Sequence, residues 1–158
     1  MDNFFYRLKN ERVSSGMKQV QAAKFLNLHP NTYQSYENGY CFPPLAKLIA
    51  ISQMLNVSID YLACRTNVKK ARDLSLQNLA FNLKTTRVKR GYTQRETADA
   101  VGISTVSYQN YELNNRTPSY EHFIAIADFL KTSCDMLLMY PKGVDLYGKL
   151  CESSDLPE

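Results

Sequence analysis

The side chains with most to offer chemically in this 158-residue chain are amides on two short helical faces. Asn31, Gln34, Ser35 and Asn38 form one face, and 75 residues later Val106, Gln109, Asn110 and Leu113 form the other. An amide presents a donor and an acceptor together, so these faces suit recognition through paired hydrogen bonds. Nothing comparable serves catalysis. The chain has no nucleophile with an adjacent base, no carboxylate pair in a cleft pattern and no glycine-rich phosphate loop, its six glycines being scattered singly. Cys41, Cys64, Cys134 and Cys151 lie far apart without a Cys-x-x-Cys pair, which predicts free reduced thiols and no metal site. His29, at a helix start, and His122, on a helix surface, lack the cysteines or carboxylates that would make them ligands. The expectation is a non-enzyme with no cofactor and no small-molecule ligand.

Positioning those faces is the task of a duplicated unit. Shifting the chain by 75 residues registers two copies without a gap: Leu8, Lys9, Arg12, Gly16, Gln19, Ala23, Tyr33, Gln34, Tyr36, Glu37, Pro43, Ile51, Leu55, Ser58, Asp60 and Leu62 each recur as the same residue type. Two units of this length are repeated domains rather than a solenoid. The division read from the sequence is a first domain over 1–63, a linker over 64–74, a second domain over 75–140 and a tail over 141–158 that contains one short amphipathic candidate, Val144 to Cys151.

Each copy reads as five helices and no strands, which makes the fold all-α. Asp2 and Ser75 are candidate caps for first helices that Gly16 and Gly91 end. Second helices run from Gln19 to Leu26 and from Gln94 to Val101, the latter opened by the capping box Thr93-Gln94-Arg95-Glu96. Ala23 and Ala98 are small where two helices must cross steeply, which is the logic of a helix-turn-helix. The third helices begin at His29-Pro30 and Ser104-Thr105. Tyr33, Tyr36, Tyr108 and Tyr111 point inward at helical spacing, so the amide faces point outward. Fourth helices follow Pro43 and Pro118, and Ser58 and Ser133 cap short fifth helices.

Apolar content of 44% with 22% charged residues is that of an ordinary globular protein, and the net charge is a modest +4. Its distribution is more informative. From Asn67 to Arg116 nine basic residues face four acidic ones, so positive potential gathers on the front half of the second copy and invites a polyanion. The N-terminus lacks the apolar run of a secretory signal and no stretch approaches a membrane span, which predicts a cytoplasmic protein with no membrane partner.

The combination Gly16-x-x-Gln19-x-x-x-Ala23, Tyr36-Glu37-Asn38-Gly39, Pro43 and Val57-Ser58-Ile59-Asp60-Tyr61-Leu62 resembles the lambda-repressor-like helix-turn-helix domains of the Cro and phage-repressor type, here in tandem over about 4–63 and 79–138. The resemblance implies a sequence-specific regulator of bacterial or phage transcription, of repressor type, with double-stranded DNA as partner. The second helix would seat on the DNA backbone and the third would lie in the major groove. Carried over, Gln19 and Gln94 would touch phosphate, with Arg95 and Arg116 beside them. Asn31, Gln34 and Ser35, and Thr105, Val106, Gln109 and Asn110, would meet the bases, and Asn38 would also contact DNA. Asn and Gln suit adenine, and a valine methyl suits that of thymine. The family's buried ion pair falls on Arg12 with Glu37 and on Arg87 with Glu112, a structural role.

One departure from the family pattern matters. The loop after the third helix, Tyr40-Cys41-Phe42-Pro43-Pro44, is apolar in the first copy and cannot neutralise phosphate, whereas the second keeps Arg116. Tyr40 and Phe42 therefore suggest a protein interface, with another subunit or with the second copy, and the second copy is expected to make the stronger DNA contact. Two geometries stay open, one chain with two reading heads or a homodimer through the first copy. The competing function is an adaptor module, antitoxin-like or antirepressor-like, that keeps the fold for protein binding.

Overall fold

The computed structural model describes residues 3–139. Among these residues it contains ten α-helices, one 3-10 turn and no strand. The first copy comprises α1 (Phe4–Ser14), α2 (Gln19–Phe25), α3 (Pro30–Glu37), α4 (Leu45–Leu55) and α5 (Ile59–Leu62). The second comprises α6 (Leu79–Lys89), α7 (Gln94–Val101), α8 (Thr105–Glu112), α9 (Tyr120–Phe129) and α10 (Cys134–Leu138). The expected tail helix at Val144 to Cys151 lies outside the described residues, as does Asp2.

Local chemistry accounts for most boundaries. The cap of α1 is Asn3, whose side chain accepts from the Tyr6 amide at 2.9 Å, one residue after the expected Asp2. Ser75 caps a 3-10 turn, Leu76–Asn78, and the chain relaxes into α6 only at Leu79. Ser58 and Ser133 cap α5 and α10, accepting from the amides of Tyr61 and Met136. Between α2 and α3 the chain turns through Asn27 at φ 51°, and between α7 and α8 through Gly102 at φ 74°. Both types tolerate this left-handed conformation, Gly at no steric cost and Asn through its short polar side chain.

One hydrophobic core runs through both copies. Leu8, Ala23, Tyr33, Leu48, Ile51 and Ile59 are fully buried in the first, as are Leu83, Ala98, Tyr108, Phe123, Ile126 and Leu137 in the second. Each large aliphatic side chain buried in this way contributes about 1.5–3 kcal/mol. Both alanines are completely buried, and α2 packs against α3 as α7 does against α8.

The two copies also pack on each other. The Asp60 carboxylate accepts from the backbone amides of Cys134 at 3.0 Å and Asp135 at 3.2 Å, while Asp135 accepts from the amide of Ile59 at 3.0 Å. Phe42 stacks on Tyr120 with ring centroids 4.1 Å apart, and Phe4 joins the same cluster.

The segment between the copies, read from the sequence as a linker over 64–74, is fastened to both of them. Arg65 pairs with Asp60 and with Asp128 and donates to the Thr132 carbonyl. Buried Arg7 donates to the carbonyls of Tyr61 and Thr66 at 2.7 and 2.6 Å and lies over the Tyr61 ring. Lys69 pairs with Glu11, and the Ser75 amide donates to the Leu138 carbonyl at 2.8 Å.

Candidate nucleic-acid interface

The outward faces of α3 and α8 are built from the inside. Arg12, near the end of α1, reaches Glu37, the last residue of α3, in a two-pronged ion pair with Nε–Oε1 at 2.5 Å and Nη2–Oε2 at 2.9 Å. Its remaining nitrogen donates to the Met17 carbonyl at 2.7 Å. In the second copy Arg87 holds Glu112 at 2.6 and 2.9 Å and donates to the Tyr92 carbonyl at 2.8 Å. The parallel geometry suits a planar guanidinium and would not be reproduced by lysine. Burial pushes both carboxyls up, but hydrogen bonds from the arginine and from a glutamine outweigh it, and Glu37 and Glu112 lie below the ordinary glutamate value.

The glutamines that complete these networks are Gln19 and Gln94, the leading residues of α2 and α7. Gln19 Nε2 donates to Glu37 Oε2 at 2.7 Å and Gln94 Nε2 to Glu112 Oε2 at 2.8 Å. A buried ion pair thus orients a half-exposed amide on the surface, leaving its second N–H and its carbonyl oxygen directed away from the carboxylate. Sequence reasoning gave Arg12, Glu37, Arg87 and Glu112 a structural role and the glutamines a separate contact role; the structure joins them.

The helix starts beside these amides are capped unequally. Thr93 and Glu96 form the expected box, Thr93 donating from its amide to Glu96 at 2.7 Å and accepting from the Glu96 amide at 3.1 Å. Hydrogen bonds from the Thr93 amide and hydroxyl to its carboxylate hold the exposed Glu96 below its ordinary value. In α2 the Gln21 side chain accepts from the Lys18 amide at 2.7 Å. Lys18 is a cation beside Gln19 that sequence reasoning passed over, although its position just ahead of the helix was the available signal. Arg95 is exposed and only loosely paired with Asp99 at 3.7 Å. Its counterpart in the first copy is Val20, also exposed.

On α3, Asn31, Gln34 and Asn38 are exposed and Ser35 is half-buried. The Ser35 hydroxyl donates to the Asn31 carbonyl at 2.8 Å, so only its acceptor capacity faces outward. On α8, Val106 and Gln109 are exposed, Thr105 and Asn110 half-buried. The Asn110 carbonyl accepts from the amides of Asn115 and Arg116, which folds the following loop against the helix end and leaves the Arg116 side chain exposed. Tyr40 and Phe42 part company: Tyr40 stands 80% exposed, while Phe42 turns back onto Tyr120 of the second copy. Among the described residues no group of three His, Cys, Asp or Glu side chains could hold a metal ion, and no helix is long and apolar enough to cross a membrane. Cys41 and Cys134 are free thiols, and Cys151 lies outside the described residues.

Comparison with known proteins places this geometry. A region of the chain is 37% identical over 76 residues to the HTH-type transcriptional regulator ImmR of Bacillus subtilis, covering 48% of this chain and 60% of ImmR. Another match is 44% identical over 71 residues to the cryptic phage CTXphi transcriptional repressor RstR of Vibrio cholerae, covering 45% of this chain and 63% of RstR. The regulator AnsR of Bacillus subtilis is 40% identical over 52 residues, 33% of this chain and 45% of AnsR. The chain thus spans between about half and two thirds of the length of these curated relatives. No solved structure gives a significant match. The profile of the helix-turn-helix family matches twice, over residues 8–62 and 83–137, and with both Arg–Glu–Gln networks inside those spans the chain belongs to that family in two consecutive copies.

Proposed function

We propose that the chain is a sequence-specific double-stranded DNA-binding regulator of transcription, of repressor type, acting in a bacterial cytoplasm. The observation that carries this reading is the pair of Arg–Glu–Gln networks, which hold Gln19 and Gln94 in one orientation beside the amide-bearing faces of α3 and α8. An amide fixed in advance loses little conformational freedom on meeting a phosphate, and the helix behind it is then set in register with the groove. Two relatives agree in kind, ImmR being named a transcriptional regulator and RstR a phage transcriptional repressor.

In this reading Gln19 and Gln94 meet phosphate, with Lys18, Arg95 and Arg116 adding charge. Asn31, Gln34, Ser35 and Asn38 meet bases from α3, and Thr105, Val106, Gln109 and Asn110 from α8. Selection of bound duplexes from a random pool by the full chain tests it. Enrichment of a defined sequence is expected, and weak, salt-sensitive binding without enrichment would count against it.

A protein-binding role is favoured by the exposed apolar side chains of the first copy, among them Val20, Phe25 and Tyr40. A homodimer through the first copy would draw on such side chains, since Phe42 already packs within the chain.

A further inference from the structure

We propose that one chain reads one complete operator, and that this operator is an inverted pair of unequal half-sites. The inference deepens the DNA-binding reading and rests on it.

Its basis is the way the two copies meet. Ile59 and Cys134 are equivalent positions, as are Asp60 and Asp135. Asp60 accepts from the Cys134 amide and Asp135 accepts from the Ile59 amide, both at 3.0 Å. Reciprocity of this kind, residue i to j and j to i, is the signature of an isologous two-fold contact, and a head-to-tail arrangement does not produce it. The copies are therefore related by a local two-fold axis passing between α5 and α10, as in a symmetric dimer, but within one polypeptide. A two-fold axis carries one reading helix onto the other, so a duplex that engages both heads shares that axis. The matching DNA is an inverted repeat, not a direct one.

The same contact leaves a second chain no equivalent place to dock. The starts of both α5 and α10 are covered by the opposite copy, and Arg65 locks the arrangement through Asp60, Asp128 and the Thr132 carbonyl. Phe42 on Tyr120 adds an aromatic stack for which the other side of the axis has only Thr117 and Leu45.

Because the polypeptide is continuous, the two halves are free to differ, and they do. Gln34 and Gln109 are the same residue on the two reading helices. Around them Asn31 is replaced by Val106, Thr32 by Ser107, Ser35 by Asn110 and Asn38 by Leu113. The half-sites should share the base pair read by glutamine and diverge beside it, an amide-read adenine under Asn31 giving way to a thymine methyl under Val106.

The test combines random-pool selection by the full chain with native mass spectrometry of the chain on the enriched duplex. An inverted pair of different half-sites about 10 base pairs apart, bound by one chain, is the expected result. A direct repeat, or a symmetric palindrome bound by two chains, would overturn the inference while leaving DNA binding intact; absence of enrichment would overturn both. Grafting the second face onto the first, with Pro30→Thr, Asn31→Val, Thr32→Ser, Ser35→Asn and Asn38→Leu, should convert the selected site into a true palindrome. If that protein does not fold, the reverse graft, Thr105→Pro, Val106→Asn, Ser107→Thr, Asn110→Ser and Leu113→Asn, should do so with the other half-site. A folded graft that selects the original unequal site would sink the proposal.

Discussion

Gln94 rests on Glu112: its amide nitrogen donates to a carboxylate oxygen at 2.8 Å while Arg87 grips the same carboxylate from the other side. The surface amide is consequently only as well placed as the buried pair beneath it. Arg87→Ala leaves Glu112 buried and unpaired, and a loss of about 3–5 kcal/mol is expected in chemical denaturation. Glu112 lies below its ordinary value when folded. Its stabilising contribution is therefore present above the unfolded carboxylate pKa, and in the parent protein it disappears as pH falls through the lower folded value. Arg87→Ala should accordingly flatten the acid limb of the stability curve.

Asp135 behaves in the opposite sense. Burial, with the neighbouring Asp60 charge adding to it, raises its carboxyl to about 6 from an ordinary 3.8. The unfolded chain then releases this proton at lower pH than the folded one, so stability falls as pH rises from about 4 to 6 and stays reduced above. Asp135→Asn keeps an acceptor for the Ile59 amide and removes the charge. It should raise stability by up to about 3 kcal/mol at pH 7, at about 1.4 kcal/mol per pKa unit, and change little below pH 4. Equal effects at both pH values would count against this account.

Gln109→Ala removes a donor–acceptor pair from the exposed face of α8. At the selected site the expected cost is about 1–3 kcal/mol, with preference relaxed at a single base pair. An unchanged preference in a repeat selection would exclude Gln109 as a reader.

Arg95→Ala should weaken binding to all duplexes alike and lower the salt slope by about one. Titration at several salt concentrations gives the slope, and loss confined to one sequence would assign Arg95 to base reading instead. Val20→Arg, the converse change at the equivalent place, should raise the slope by a similar amount.

Helices and caps were legible in the sequence because their causes are local: Ser58 and Ser133 cap residues three positions away, and Thr93 with Glu96 closes its box within one turn. The amide faces were legible through the inward tyrosines, which fix the rotation of each helix. What escaped was long-range. Asp60 and Asp135 stand in the first turn of a short helix, where a carboxylate is favourable without any distant partner. Their partners lie 74 to 76 residues away. Arg65 falls within the segment read as a linker, and nothing local points to Asp128 and Thr132, which are distant in sequence. The link from Gln19 to Glu37 was missed although both residues were named, because no spacing rule connects the start of one helix to the end of the next.

The junction of Asp60 and Asp135 with each other's helix starts is closed within a single polypeptide, so dilution does not loosen it. Proteins that assemble their reading heads from separate subunits lose them at low copy number, and occupancy then rises as a steep function of dose. In the single-chain reading proposed above, the second head is held at a fixed effective concentration whatever the cell contains. Occupancy should follow a simple hyperbola in protein concentration, trading a sharp threshold for a site that remains held when only a few molecules are present.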